Sequence, residues 1–111
     1  SSDKNTISNN SQNTFLTNLN QRKITSSQKL GIDVQKHLLY STRKIYKDVV
    51  DGGVREGPFW VLVGAQMPSI LIEIGYITHK EEGRRLFEKR YQKTLATGIA
   101  DGVDAYFAKN Q

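Results

Sequence analysis

With 111 residues, of which 37% are hydrophobic and 24% charged, the chain can bury one modest core, which excludes both several independent domains and wholesale disorder. It has no cysteine, which excludes disulfide frameworks and thiolate metal sites, and no apolar run reaches the length of a membrane span. Sixteen Lys and Arg against eleven Asp and Glu give a net charge of +5 and favour encounter with a polyanion such as nucleic acid, anionic lipid or an acidic wall polymer; without a dense basic cluster interleaved with aromatics, a solubilising surface is the stronger reading and no nucleic-acid partner is expected.

The opening SSDKNTISNN has neither the basic start nor the apolar middle of a signal peptide, so either the chain is cytosolic or its targeting segment lies outside it. Up to about Asn13 only Ile7 is apolar, and residues 1–24 are expected to be a polar loop or linker, relieved by a short apolar patch at Phe15, Leu16 and Leu19. Thr25 followed by Gln28 fits a capping box, and Leu30, Val34 and Leu38 recur at helical spacing, which predicts an amphipathic helix to about Ser41. Asp51, Gly52 and Gly53 break that pattern. Two short, β-branched and aromatic runs follow, at 59–63 and 69–74, and read as strands covered on both faces. Their mutual orientation stays open.

Thr78 with Glu81 gives a second capping box, and the remainder is predicted to be helical. Phe87, Tyr91, Leu95, Ile99, Val103 and Phe107 repeat every four residues and form its packing stripe. Arg84 and Arg85, with Lys89 and Arg90, read as an exposed helix face. The order helix, strand, strand, helices predicts an α/β fragment whose two strands belong to a larger sheet.

Glu73 stands out because it interrupts the apolar run Ile70-Leu71-Ile72-Glu73-Ile74 just before Gly75. A carboxylate inside a buried strand must find a partner, a metal or a raised pKa. Two readings of these residues remain open: a structural acid paired with Arg55 or a helix N-terminus, and a functional acid at the carboxyl end of a strand. His79 reads as a helix-start residue, and His37 as a surface or core-edge residue with no acid or histidine at i+4 to complete a zinc pair.

The run MPSILIEIGYITHKEEGRRL, Met67 to Leu86, resembles a segment of the zinc-dependent N-acetylmuramoyl-L-alanine amidases, in which a Met/Ile-Pro-Ser lead-in precedes an apolar strand, Glu, a small residue, Gly, an aromatic and an acidic helix start. Ser27-Gln28-Lys29-Leu30, Gly53-Val54-Arg55, Phe59-Trp60-Val61-Leu62, Tyr91-Gln92 and the stretch from Gly102 to Phe107 are similar to flanking parts of that family, so the resemblance spans about Thr25 to Phe107.

The resemblance implies the C-terminal part, residues 25–111, of a three-layer α/β/α amidase domain with a mostly parallel sheet and flanking helices. It implies a peptidoglycan hydrolase that cleaves the amide between N-acetylmuramic acid and L-alanine, with Glu73 as general base acting on zinc-activated water. For Arg55 three roles stay open: pairing with Glu73, contact with the glycan or peptide as a substrate-binding residue, or plain solvation. The family's zinc ligands match nothing in this sequence, so the zinc is expected to be held by residues outside this chain, in the N-terminal half of the same domain. That half is then a partner, along with peptidoglycan and, if residues 1–24 end a regulatory insertion, an activator protein. A periplasmic or extracellular address follows from the resemblance alone. The alternative is a noncatalytic wall-binding or interaction module that kept the fold.

Overall fold

In the computed structural model, the backbone is described for residues 2–110, and side chains for Thr14 and from Asn18 to Asn110. The first helix, α1, runs from Ser2 to Thr42. Its 41 residues reach about 60 Å at 1.5 Å per residue and account for most of the 65 Å long axis of the molecule. It passes straight through the segment expected to be a loop and through Thr25, the expected helix start. Ser, Asn and Thr are mediocre helix formers, but neither proline nor glycine occurs before Gly31, so nothing in the sequence terminates the helix. The Gln28 side chain, rather than closing a capping box, donates from Nε2 to Glu56 Oε1. The expected apolar patch at Phe15 and Leu16 lies outside the described side chains.

Two further helices follow, α2 over Lys80–Leu86 and α3 over Lys89–Lys109. The core forms where α3 lies along the second half of α1. Val34, Leu38, Tyr91 and Leu95 are buried together, with Leu30, Ile45, Tyr46, Ile70, Ile72, Leu86, Ile99 and Val103 packed around them. Of the expected stripe, Tyr91 and Leu95 are in the core, while Phe87, the C-cap of α2, and Phe107 are exposed. Gly98 and Gly102 take their place in the buried face. A Cβ on Gly98 would fall 2.8 Å from Leu38 Cα, and one on Gly102 would fall 2.5 Å from Val34 Cα, so the two backbones touch where these side chains are absent. Ser41 Oγ donates to Thr94 O (2.8 Å) at one end of the contact, and Lys109 Nζ meets the buried Asp33 carboxylate (2.7 Å) at the other.

The expected parallel sheet is corrected by the structure: it is helical, and no strand occurs among the described residues. A strand is defined by ladder hydrogen bonds to a neighbour, and neither apolar run has one. Residues 59–63 close on themselves, with Leu62 N–H donating to Phe59 O (2.9 Å) and Val63 N–H to Trp60 O (3.1 Å), giving a 3-10 turn at Trp60–Leu62. Residues 69–74 run extended, tied to α1 by Ser69 N–H donating to Ser27 Oγ (2.9 Å). The chain therefore travels back along α1 from Asp51, held by Gln35, to Glu56, held by Gln28. After turning through Gly64 (φ +84°) it returns past Lys23, whose Nζ donates to Ala65 O (2.9 Å). Both legs lie on a helix instead of on each other. The apolar composition that reads as strand is consumed on one side by α1 and left bare on the other: Trp60 is 84% exposed, and Val61, Val63 and Met67 are also exposed.

A cluster of charges fixes α2 to the end of α1. Arg85, expected on an exposed face, has a side chain only 11% exposed; its guanidinium pairs with both oxygens of Asp48 (3.0 Å each) and lies 3.8 Å from the Tyr46 ring centroid. Tyr46 in turn packs edge-on against Tyr91 and donates its hydroxyl to Glu88 (2.7 Å). Arg84, by contrast, is exposed and bridges Glu81 and Glu88. The expected capping box at Thr78 and Glu81 does not form: His79 is the N-cap without a side-chain bond, and Glu82 accepts from Tyr76 N–H (3.2 Å).

Candidate functional site

The extended backbone of residues 70–74 alternates sides, as any extended chain must. Ile70 and Ile72 point toward α1 and α3 and join the core, while Leu71 and Glu73 face outward and are exposed. Gly75 follows with φ +145°, a backbone angle that a side chain rarely adopts, and turns the chain toward α2. Glu73 is thus carried on a segment anchored by its two inward isoleucines and ended by a glycine.

The carboxylate is not the buried acid that the apolar run suggests. It is open to solvent, and it makes no hydrogen bond or ion pair among the described residues. The pairing with Arg55 that a structural role requires is absent: Arg55 is also exposed, and its guanidinium donates to Gly52 O at 3.4 Å, three residues back in its own turn. The two residues are not brought together into one site.

A zinc ion needs three or four nitrogen, sulfur or carboxylate ligands converging on one point. Among the described residues no group of three or more His, Asp or Glu side chains is arranged to hold a metal. His79 is exposed at the start of α2, where Nδ1 lies 3.3 Å from Glu82 Oε2 and the ring tilts against Tyr76. His37 is half-buried on α1; Asp33, one helical turn before it, is already paired with Lys109. The side chains described here do not fit a zinc site by themselves.

The profile of the family described as N-acetylmuramoyl-L-alanine amidase matches residues 4–105. The chain belongs to this amidase family. Among curated relatives, it is 35% identical over 82 residues to the uncharacterized protein YqiI of Bacillus subtilis, covering 74% of this chain and 37% of that protein. It is 31% identical over 83 residues to the N-acetylmuramoyl-L-alanine amidase AmiA of Escherichia coli, covering 75% of this chain and 28% of the relative. Against the amidase LytC of Bacillus subtilis the identity is 33% over 57 residues, 51% of this chain and 12% of that one. The chain thus spans little more than a third, or less, of the length of these relatives. No solved structure matches it.

The matched region includes Glu73, Arg55 and the whole of α2. What sequence reasoning missed is the placement of Arg85, because adjacent arginines on a short helix look alike until the position of Asp48 is known. Asp33, which with Lys29 and Lys36 reads from the sequence as lying off the apolar face, is buried instead; its signal is a lone acid beside Val34 on a helix whose other charges between Thr14 and Thr42 are all basic.

Proposed function

We propose that this chain is the C-terminal part of a peptidoglycan hydrolase catalytic domain, cleaving the amide between N-acetylmuramic acid and L-alanine, with Glu73 as the general base. In this reading residues 25–111 belong to the catalytic domain, residues 1–24 end a regulatory insertion that an activator could displace, and the protein works in the periplasm or outside the cell. Family membership supports the reaction class.

The observation that carries the role of Glu73 is its isolation. A structural acid would be paired or capped, and a merely solvated one is most at home among polar residues; this one interrupts an apolar run, is anchored through Ile70 and Ile72, and is exposed and free of partners among the described residues. A general base needs such access, because its carboxylate must come within hydrogen-bond reach of a water and then pass the proton to the departing amine. The described side chains supply no metal set, so a zinc ion, which acidifies water and polarises a carbonyl in amidases of this kind, would be held by residues outside this chain. Arg55, exposed and tethered among the described residues only to Gly52 O, is free to contact the peptide or glycan.

The test is digestion of purified peptidoglycan by the complete protein, with fragments identified by mass. Wild type should release intact stem peptides beginning with L-alanine, and Glu73→Gln should be slower by on the order of a hundredfold or more in kcat. Equal rates for the two proteins would remove Glu73 from the chemistry. If neither protein cleaves peptidoglycan but both are retained on it, the chain belongs to a noncatalytic wall-binding module.

A further inference from the structure

The exposed side of α1 carries its cations in register. Arg22, Lys29, Lys36 and Arg43 are spaced seven residues apart, which sets them about 10.5 Å from one another in a single file about 32 Å long. All four are exposed, and the row runs opposite the face that buries Val34 and Leu38. Arg43 continues the helical bonding of α1, its N–H donating to Leu39 O at 3.0 Å. Arg22, Lys29 and Lys36 have no hydrogen bond or ion pair among the described residues.

Along the described part of the helix these cations are not offset by acids of their own face. Between Thr14 and Thr42 the one acidic residue is Asp33, which is buried and already neutralised by Lys109. Two acids approach from the returning chain, Glu56, which accepts from Gln28, and Asp51, which accepts from Gln35 and Gly53 N–H and whose charge acts on Arg43 at the end of the row. An open cavity of about 1130 Å³ runs along this part of α1, with Lys36, Arg43 and Lys44 in its lining and Asp101 contributed by α3. Ile32 and Tyr40, both exposed, stand between the cations and offer apolar contact to carbon chain or sugar ring.

We propose that this face of α1 binds a single-stranded, phosphate-linked anionic polymer of the cell wall. A linear row of spaced charges is complementary to a flexible linear polyanion, which can place several phosphates along it at once, whereas a small anion can use only one position at a time. That the polymer is a wall component rests on the amidase reading; the binding itself does not.

The probe is long-chain inorganic polyphosphate, with binding followed by fluorescence anisotropy as salt is raised. The variant R22Q/K29Q/K36Q removes three cations from the row and leaves Arg43, whose Nε–H is donated to Val49 O. The variant K89Q/R90Q/K93Q removes the same charge from the exposed start of α3. The row variant should bind about tenfold or more weaker, and the slope of log affinity against log salt should fall by about two, while the α3 variant changes little. Equal weakening in both variants would reduce the effect to net charge and overturn the proposal. So would inorganic monophosphate competing at equal phosphate concentration, or duplex DNA binding as tightly with the same loss in the row variant. Because no hydrolysis is read, E73Q protein should bind like wild type, which separates this outcome from that of the amidase assay.

Discussion

Asp48 is exposed, yet the Arg85 guanidinium that donates to it holds its carboxyl below the usual carboxylate range. Glu81 is lowered in the same direction by its hydrogen bond from Arg84, and Asp51 by Gln35 and then by the Gly53 N–H. For each of these acids the folded form releases its proton at lower pH than the unfolded form. Above the ordinary carboxylate pKa both forms are ionised, and the pairing stabilises the fold in full. As pH falls below about 4 the unfolded chain takes up protons first, and the contribution is lost through the depressed folded value. Melting temperature plotted against pH should therefore be level near neutrality and decline on the acid side. Asp48→Asn should lower the level part and flatten some of the decline; an unchanged acid slope would mean that the Arg85 pair contributes nothing. Residue type was legible from sequence in this region, but residue environment was not. Glu73 could be picked out as an acid in apolar company, whereas its outward direction depends on which alternate side of residues 70–74 the helices occupy.

The second half of α1 and the whole of α3 were readable as helix because the apolar period in each, Leu30-Val34-Leu38 and Tyr91-Leu95-Ile99, is long enough to identify a helix unaided, whereas the polar first half of α1 was expected to be a loop. The two strand assignments failed for a reason internal to short segments. Five or six β-branched and aromatic residues fit a sheet, but only a neighbouring strand makes them one, and here the neighbour is the side of α1. The glycines on α3 were equally silent, since a gap in an apolar stripe looks like a weak point until another backbone is found in it. Gly98→Ala and Gly102→Ala each drive a methyl group into the backbone of α1. Each should cost about 1–3 kcal/mol in chemical denaturation, the range of an overfilled core. Ala100→Ser, on the exposed side of the same helix, should cost almost nothing. A wild-type midpoint for both glycine variants would show that the helices stand further apart.

At the scale of the whole molecule, the bare side of the returning chain dominates. Trp60, Val61, Val63, Met67, Ile74, Tyr76 and Ile77 are all exposed within eighteen residues, an apolar density that soluble surfaces seldom carry. Trp60 is the single tryptophan of the sequence and therefore reports on this region without interference. In the 111-residue chain its emission should be that of a hydrated indole and open to acrylamide quenching. In the complete protein, if the proposed larger domain covers the surface, emission should shift to shorter wavelength and quenching should fall. No helix among the described residues is long and apolar enough to cross a membrane, so lipid burial by a spanning helix does not account for this surface.

The pairing of Asp33 with Lys109 joins residues 76 positions apart, and the core beside it joins α1 to the last helix of the chain. During synthesis the first helix leaves the ribosome long before its partner exists. Val34 and Leu38 must then wait, uncovered by α3, until that helix has been added. A nascent chain stalled before α3 would offer chaperones or proteases a bare apolar stripe, and removal of Lys109 and the two residues after it would leave the Asp33 carboxylate buried with no counter-charge.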